Sequence, residues 1–143
     1  MSEIVDRLRP QLATFRDERG IELFDLPDAP RPDPSTPAPV RILAPFDNAL
    51  LSHADRRRFI SDEHRARTMT KNGIIAPLVL VGGRVAGAAK LTIGGTSAVL
   101  EVTPWRSLTS SNRSAIETEG MKLVRFAAPA AGDHDVWLGT DSA

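Results

Sequence analysis

Apolar and polar residues alternate along the middle of the chain. Val85, Gly87, Ala89, Leu91 and Ile93 fall on one parity, and Arg84, Ala88, Lys90 and Thr92 on the other. Strand side chains point to opposite faces in turn, so the spacing predicts a strand over 84–93 with one face buried and one wet. Ahead of it, Ile74 to Val81 is an apolar run broken at Pro77, where an edge or a bulge is expected. Gly82-Gly83 between the two runs predicts a two-residue hairpin turn. Gly94-Gly95-Thr96-Ser97 turns the chain again. Ala98, Leu100 and Val102 then face inward against Glu101 and Thr103, until Pro104. The pattern is an antiparallel meander over 74–103.

From residue 109 the period lengthens. Ile116, Gly120, Leu123 and Ala127, widened by Val124, recur at helical spacing, with Arg113, Glu117, Glu119, Lys122 and Arg125 on the other faces. This predicts a helix over 109–127 packed on the meander, with Thr109 or Ser110 as its N-cap. Asp135 to Leu138 is expected to add a short strand that gives Trp137 a place. Before the meander, Val40 to Ala44 reads as a strand. A helical stretch is expected near 53–59, and a second helical turn within 61–69 capped by Ser61 or Asp62.

The N-terminal segment has a different plan. Ile4, Val5 and Leu8 share a helical face, and Pro10 closes that helix. Leu12 to Arg16 and Ile21 to Asp25 flank a turn ending at Gly20, a hairpin signal. A helix running straight into a hairpin is how a winged helix ends, and so small a piece must dock on something to be stable. Residues 27–39 hold six prolines in thirteen positions. That density excludes helix and central strand and predicts an extended connector. The organisation read from the pattern is therefore 1–26, the end of a winged-helix module; 27–39, a proline-rich connector; and 40–143, a β-rich α+β domain with a barrel-like meander.

Composition bounds the chemistry. The 143 residues include no cysteine, which removes disulfides, thiolate catalysis and cysteine-based zinc sites. No apolar stretch is long enough to span a bilayer, and the acidic start Met1-Ser2-Glu3 is unlike a signal peptide, so a cytoplasmic location without membrane contact is expected. Lys plus Arg and Asp plus Glu both number 18, giving a formal charge of zero. A free-standing DNA binder is usually basic, so any nucleic-acid contact has to come from a local cluster.

One such cluster exists. Arg56, Arg57, Arg58, Arg65 and Arg67 lie within twelve residues, beside Asp55, Asp62 and Glu63. Arginine forks suit phosphate. The near balance of acids also fits a solvated, ion-paired face, and on sequence alone that blander reading leads. His53, His64 and His134 do not fall at metal-ligand spacing, so neither a metal nor any other cofactor is expected. His53 is expected to be a hydrogen-bonded residue bridging its loop to the next helix. Asp47-Asn48 can supply a base and an orienting amide, or merely form a turn; the turn is favoured. Gly82-Gly83 and Gly94-Gly95 lack the context of phosphate loops. No nucleophile triad or acid pair stands out, so no catalytic residue is assigned.

Pro45-Phe46-Asp47-Asn48-Ala49-Leu50-Leu51-Ser52-His53-Ala54-Asp55-Arg56 joins an aromatic, a Leu pair expected to be buried and a polar set in twelve residues. This run resembles a signature of the bacterial winged-helix DNA-binding proteins related to DNA glycosylases that unhook interstrand crosslinks. Its signature residues are Phe46, Asp47, Asn48, His53, Asp55 and Arg56. Leu12 to Pro27, the proline connector, Leu80 to Gly87 and Glu119 to Phe126 are similar to that family in order and spacing. The resemblance runs from residue 3 to 138 and implies the family's C-terminal portion: the end of the last winged helix and the β-rich domain. The family's glycosylases carry a Gln-x-Gln motif in their N-terminal half. This chain has only Gln11, so no catalytic residue carries over. Relatives often show Thr-Trp-basic where this chain has Ala88-Ala89-Lys90.

The resemblance implies a non-catalytic DNA-associated module. Double-stranded DNA would be bound weakly and non-specifically through Arg56, Arg57, Arg58, Arg65 and Arg67, helped by Arg16 and Arg19 at the wing-like turn. A second possibility is part of a repair glycosylase whose catalytic half, or whose missing winged-helix segment, lies elsewhere. A third is a stand-alone interaction domain.

Overall fold

A computed structural model describes residues 2–69 and 73–140. The chain divides into two compact units, 1–36 and 37–143.

In the first unit, α1 (Ser2–Leu8) runs into a 3-10 turn (Arg9–Gln11), then β1 (Ala13–Arg16) and β2 (Glu22–Asp25). β1 and β2 pair antiparallel, Ala13 opposite Asp25 and Arg16 opposite Glu22, as the hairpin pattern predicts. Asp17 closes the turn by accepting from the backbone N–H of Arg19 and Ile21, at 2.9 and 2.8 Å. None of the described side chains of this unit is buried. Arginines staple it instead. Arg9 donates to Glu22 at 2.7 Å and lies 4.8 Å over the Phe24 ring. Arg31 reaches Asp25 and the Pro27 carbonyl and lies 5.2 Å from the Phe15 ring.

The second unit is α+β. β3 (Arg41–Ile42), α2 (Asn48–Leu51) and α3 (Asp62–Arg65) precede β4 (Leu78–Val81), β5 (Arg84–Gly94) and β6 (Ser97–Pro104), and α4 (Ser110–Ala127) leads to β7 (Asp133–Leu138). The five strands form one curled sheet in the order β3-β4-β5-β6-β7. The meander is antiparallel. β7 joins β6 in parallel, because α4 carries the chain back across the sheet between them.

α4 covers one face. Thr109 is its N-cap, accepting from the Asn112 N–H, and Ile116, Gly120 and Val124 are buried against Val79, Ala89, Leu100 and Val102. Leu123 is half-buried, and Ala127 is exposed rather than part of the stripe. A second cluster lies on the other side of β4 and the start of β5, where Leu50, Ile60, Leu78, Leu80, Val85 and Trp105 pack together. The strand over 84–93 therefore differs from its expected one-sided burial. Val85 and Ala86 enter different clusters and both are buried, and only beyond Ala89 does one face become wet. A register shift between Val79 and Leu80 makes this possible; the irregularity expected at Pro77 comes two residues later. β5 and β6 also approach closely at Gly87, where a Cβ would stand 2.5 Å from the Thr103 carbonyl oxygen.

The region before the meander corrects two expectations. The helix expected near 53–59 lies earlier, at Asn48–Leu51, because Asp47 caps it by accepting from the Ala49 N–H at 2.8 Å. Residues 56–60 instead make one hydrogen-bonded turn, in which Phe59 and Ile60 both donate to the Arg56 carbonyl. Of the Leu pair, Leu50 is buried and Leu51 is exposed. The turn within 61–69 forms as expected, with Ser61 capping α3.

Candidate nucleic-acid interface

The signature run is mostly a loop-building device. Phe46 has φ of 59°, a left-handed conformation costly for a bulky residue, and its ring is half exposed. Asp47 is occupied as a helix cap, the turn-forming role favoured for it over base chemistry. Asn48 is the first helical residue and is exposed. The His53 ring stacks on Phe59 with centroids 6.2 Å apart, and its backbone carbonyl accepts from Arg56 Nε. The sequence predicts a hydrogen-bonded His53 that bridges its loop to a following helix; its contacts are instead a ring stack and a main-chain bond to a turn, with no helix over 53–59. Asp55 holds Arg57 with both oxygens, at 3.0 and 2.6 Å.

These contacts sort the arginines. Arg57 is half neutralised by Asp55, and Arg56 is turned toward the His53 carbonyl. Arg58, Arg65 and Arg67 are exposed, and among the described residues none has a carboxylate partner. At the hairpin, Arg16 donates to the Gly20 carbonyl. Arg16 and Arg19 flank Asp17 and Glu18 there, so the local charge is balanced.

Sequence reasoning missed two further arginines, which the fold carries to the same place. Val85 N–H donates to the Phe59 carbonyl at 2.7 Å, and Arg84 Nη2 to the Arg57 carbonyl at 3.3 Å. These bonds staple the 56–60 turn to the start of β5. Trp105 N–H donates to the Ala86 carbonyl, and the His64 and Trp105 rings lie 5.6 Å apart. Arg106 follows Trp105 directly. Phe59, Ser61, His64, Arg84, Val85 and Arg106 thereby line one recess of about 250 Å³. The only linear signal was that Arg84 follows the glycine pair and Arg106 follows a tryptophan.

Charge divides between the units. Residues 1–36 carry five arginines against eight Asp and Glu, and residues 37–143 carry thirteen Lys and Arg against ten. The net values are −3 and +3 on a chain that sums to zero. Among the described residues no three His, Asp or Glu side chains are grouped to hold a metal ion, and no helix is long and apolar enough to cross a membrane.

Residues 1–126 match the family model for AlkZ-like DNA glycosylases, and the chain belongs to that family. Among solved structures, the DNA glycosylase AlkZ of Streptomyces sahachiroi is similar, at 25% identity and a TM-score of 0.67. The match covers 94% of this chain but 35% of that one, so the chain spans about a third of the length of this relative. No curated protein matches the sequence.

Proposed function

We propose that the chain is a non-catalytic, DNA-associated module of a repair protein. It would hold duplex DNA by its phosphate backbone in the cytoplasm, with residues 1–26 as the end of a winged helix. The carrying observation is the exposed Arg58, Arg65 and Arg67, without carboxylate partners among the described residues, on a unit of net charge +3 in a glycosylase-family chain. Arg56 and Arg57 add to this surface; Arg16 and Arg19, at the hairpin turn of the other unit, are proposed as phosphate contacts in their own right. Backbone contacts carry no sequence information. Binding should therefore be non-specific, with Kd of about 10⁻⁴ to 10⁻⁶ M at physiological salt. Replacing Arg56, Arg57 and Arg58 by Ala should weaken binding to unrelated duplexes alike and flatten its salt dependence. Equal binding by wild type and triple variant would remove these residues from the interface.

The second reading is that a separate or missing half supplies base excision. It is favoured by the chain's coverage of about a third of AlkZ and by its single glutamine. A glycosylase must activate water and receive a displaced base. The purified chain alone should therefore release no base from alkylated or crosslinked DNA; release above buffer controls would make it an enzyme in its own right.

A further inference from the structure

We infer that the recess between the 56–60 turn, α3, the start of β5 and the residue after Trp105 is a seat for one phosphate group, supplied by the DNA backbone. The source rests on the proposed function; the phosphate chemistry rests on the recess itself. Its polar side chains are Arg84, Arg106, His64 and Ser61, and among the described residues no carboxylate lines it. Neither guanidinium has a carboxylate partner among the described residues. Each is held by one long bond to a main-chain carbonyl, Arg84 to Arg57 at 3.3 Å and Arg106 to Val81 at 3.4 Å. A guanidinium has five N–H donors in a fixed fork, so most remain for a ligand, and the fork matches the spacing of phosphate oxygens. The Ser61 hydroxyl oxygen accepts from the His64 N–H, which leaves its own hydrogen to donate outward. No protein hydrogen bond takes a His64 ring nitrogen among the described residues, and Trp105 backs the ring. The walls are Phe59 and Val85, apolar surfaces that strengthen charge-assisted bonds made between them. Asp62 and Glu63 directly precede His64 in sequence and temper the affinity for a free anion.

The seat uses residues other than Arg58, Arg65 and Arg67, and it makes a numerical demand. Arg84 and Arg106 serve the same phosphate. Removing both should reduce the log–log salt slope of duplex binding by about one, the value for a single neutralised phosphate, and not by two. Duplex titrations at several salt concentrations would be run on the full chain, on Arg84→Gln, on Arg106→Gln and on the double variant. Arg84→Lys, which keeps the charge but loses the fork, guards against loosening of the 56–60 turn. In parallel, inorganic phosphate would be titrated while the arginine Nε–H NMR signals are followed. The expected result is a shift of the Arg84 and Arg106 signals with phosphate, together with a slope change of about one in the double variant. Unchanged duplex binding in the double variant would overturn the DNA seat while leaving the exposed arginines in place. Phosphate shifts at both arginines without duplex binding by wild type would sink the DNA reading and keep the phosphate site. No shift with phosphate and no slope change would overturn the inference altogether.

Discussion

The two compact units of this chain hold themselves together by opposite means. The second unit excludes water from two clusters. Leu78, Leu100, Ile116 and Val124 have no exposed surface, and no buried polar side-chain atom lacks a partner among the described residues. The first unit buries none of its described side chains; Ile4, Ile21 and Leu26 are each more than half exposed. Its order comes from Arg9 and Arg31, each pairing with a carboxylate and an aromatic ring. Exposed ion pairs contribute little, typically under about 1 kcal/mol, whereas burying one large aliphatic side chain contributes about 1.5–3 kcal/mol. The contrast also extends to charge sign. A domain with its own core can carry an excess of cations, while a hairpin tied by arginine–carboxylate pairs needs its acids.

The sharpest way to break this contrast is to cut into the core. Leu100→Ala should destabilise the second unit by about 2–5 kcal/mol. Phe15→Ala in the hairpin should cost under about 1 kcal/mol, since the residue is 42% exposed and a guanidinium lies over its ring. Urea unfolding followed by the fluorescence of Trp105 and Trp137, both in the second unit, would measure the first loss, and amide exchange in β1 and β2 the second. Similar losses from the two would mean that the hairpin has a hydrophobic role its exposure does not suggest.

A smaller effect is expected at Gly87. Alanine there would drive a methyl group to 2.5 Å from the Thr103 carbonyl, and the obstacle is main chain that cannot rotate away. Gly87→Ala should cost about 1–3 kcal/mol, in the range of overpacked sites. Alanine tolerated without loss in the same urea assay would show that β5 and β6 can part at this point.

Acidity tests the other half of the contrast. The hydrogen bond from Arg9 lowers the pKa of Glu22 below its ordinary carboxylate value, and Ser35 lowers that of Asp33. A carboxylate with a depressed folded-state pKa stabilises above its unfolded value and loses that contribution as pH falls through the folded one. Amide exchange in β1 and β2 should therefore speed up as pH drops below the ordinary Glu range, after correction for intrinsic rates, with the β6 amides unmoved. Glu22→Gln should remove this response. Equal loosening of both strand sets would contradict the separation.

Much of the fold is legible in the sequence where one periodicity runs long enough. The shift from alternation at Ala98, Leu100 and Val102 to a helical stripe at Ile116, Gly120 and Val124 marks the meander and α4, and Thr109 marks the helix start. Shorter features escape. α2 has only four residues and no stripe; its cap Asp47 reads equally well as a turn residue. β7 begins at Asp133, two residues before its apolar pattern, because the polar Asp133 and His134 pair with Ser97 and Ala98 by backbone alone. The candidate site was legible as far as the arginines lie together in sequence. Arg84 and Arg106 join the 56–60 turn through Val85–Phe59 pairing and Trp105 packing, contacts between residues more than twenty positions apart that no local pattern encodes.

The parallel docking of β7 has a consequence for assembly. β6 is an eight-residue strand, and without β7 its free main-chain groups would form a ready template for a strand from another molecule. β7 occupies that edge and presents in its place a strand carrying Asp133 and Asp135, while the opposite edge is β3, only two residues long. A short strand and a charged strand are poor partners for strand addition. Neither end of the sheet therefore offers a long, uncharged edge, and the six residues of β7 should discourage strand addition by another molecule.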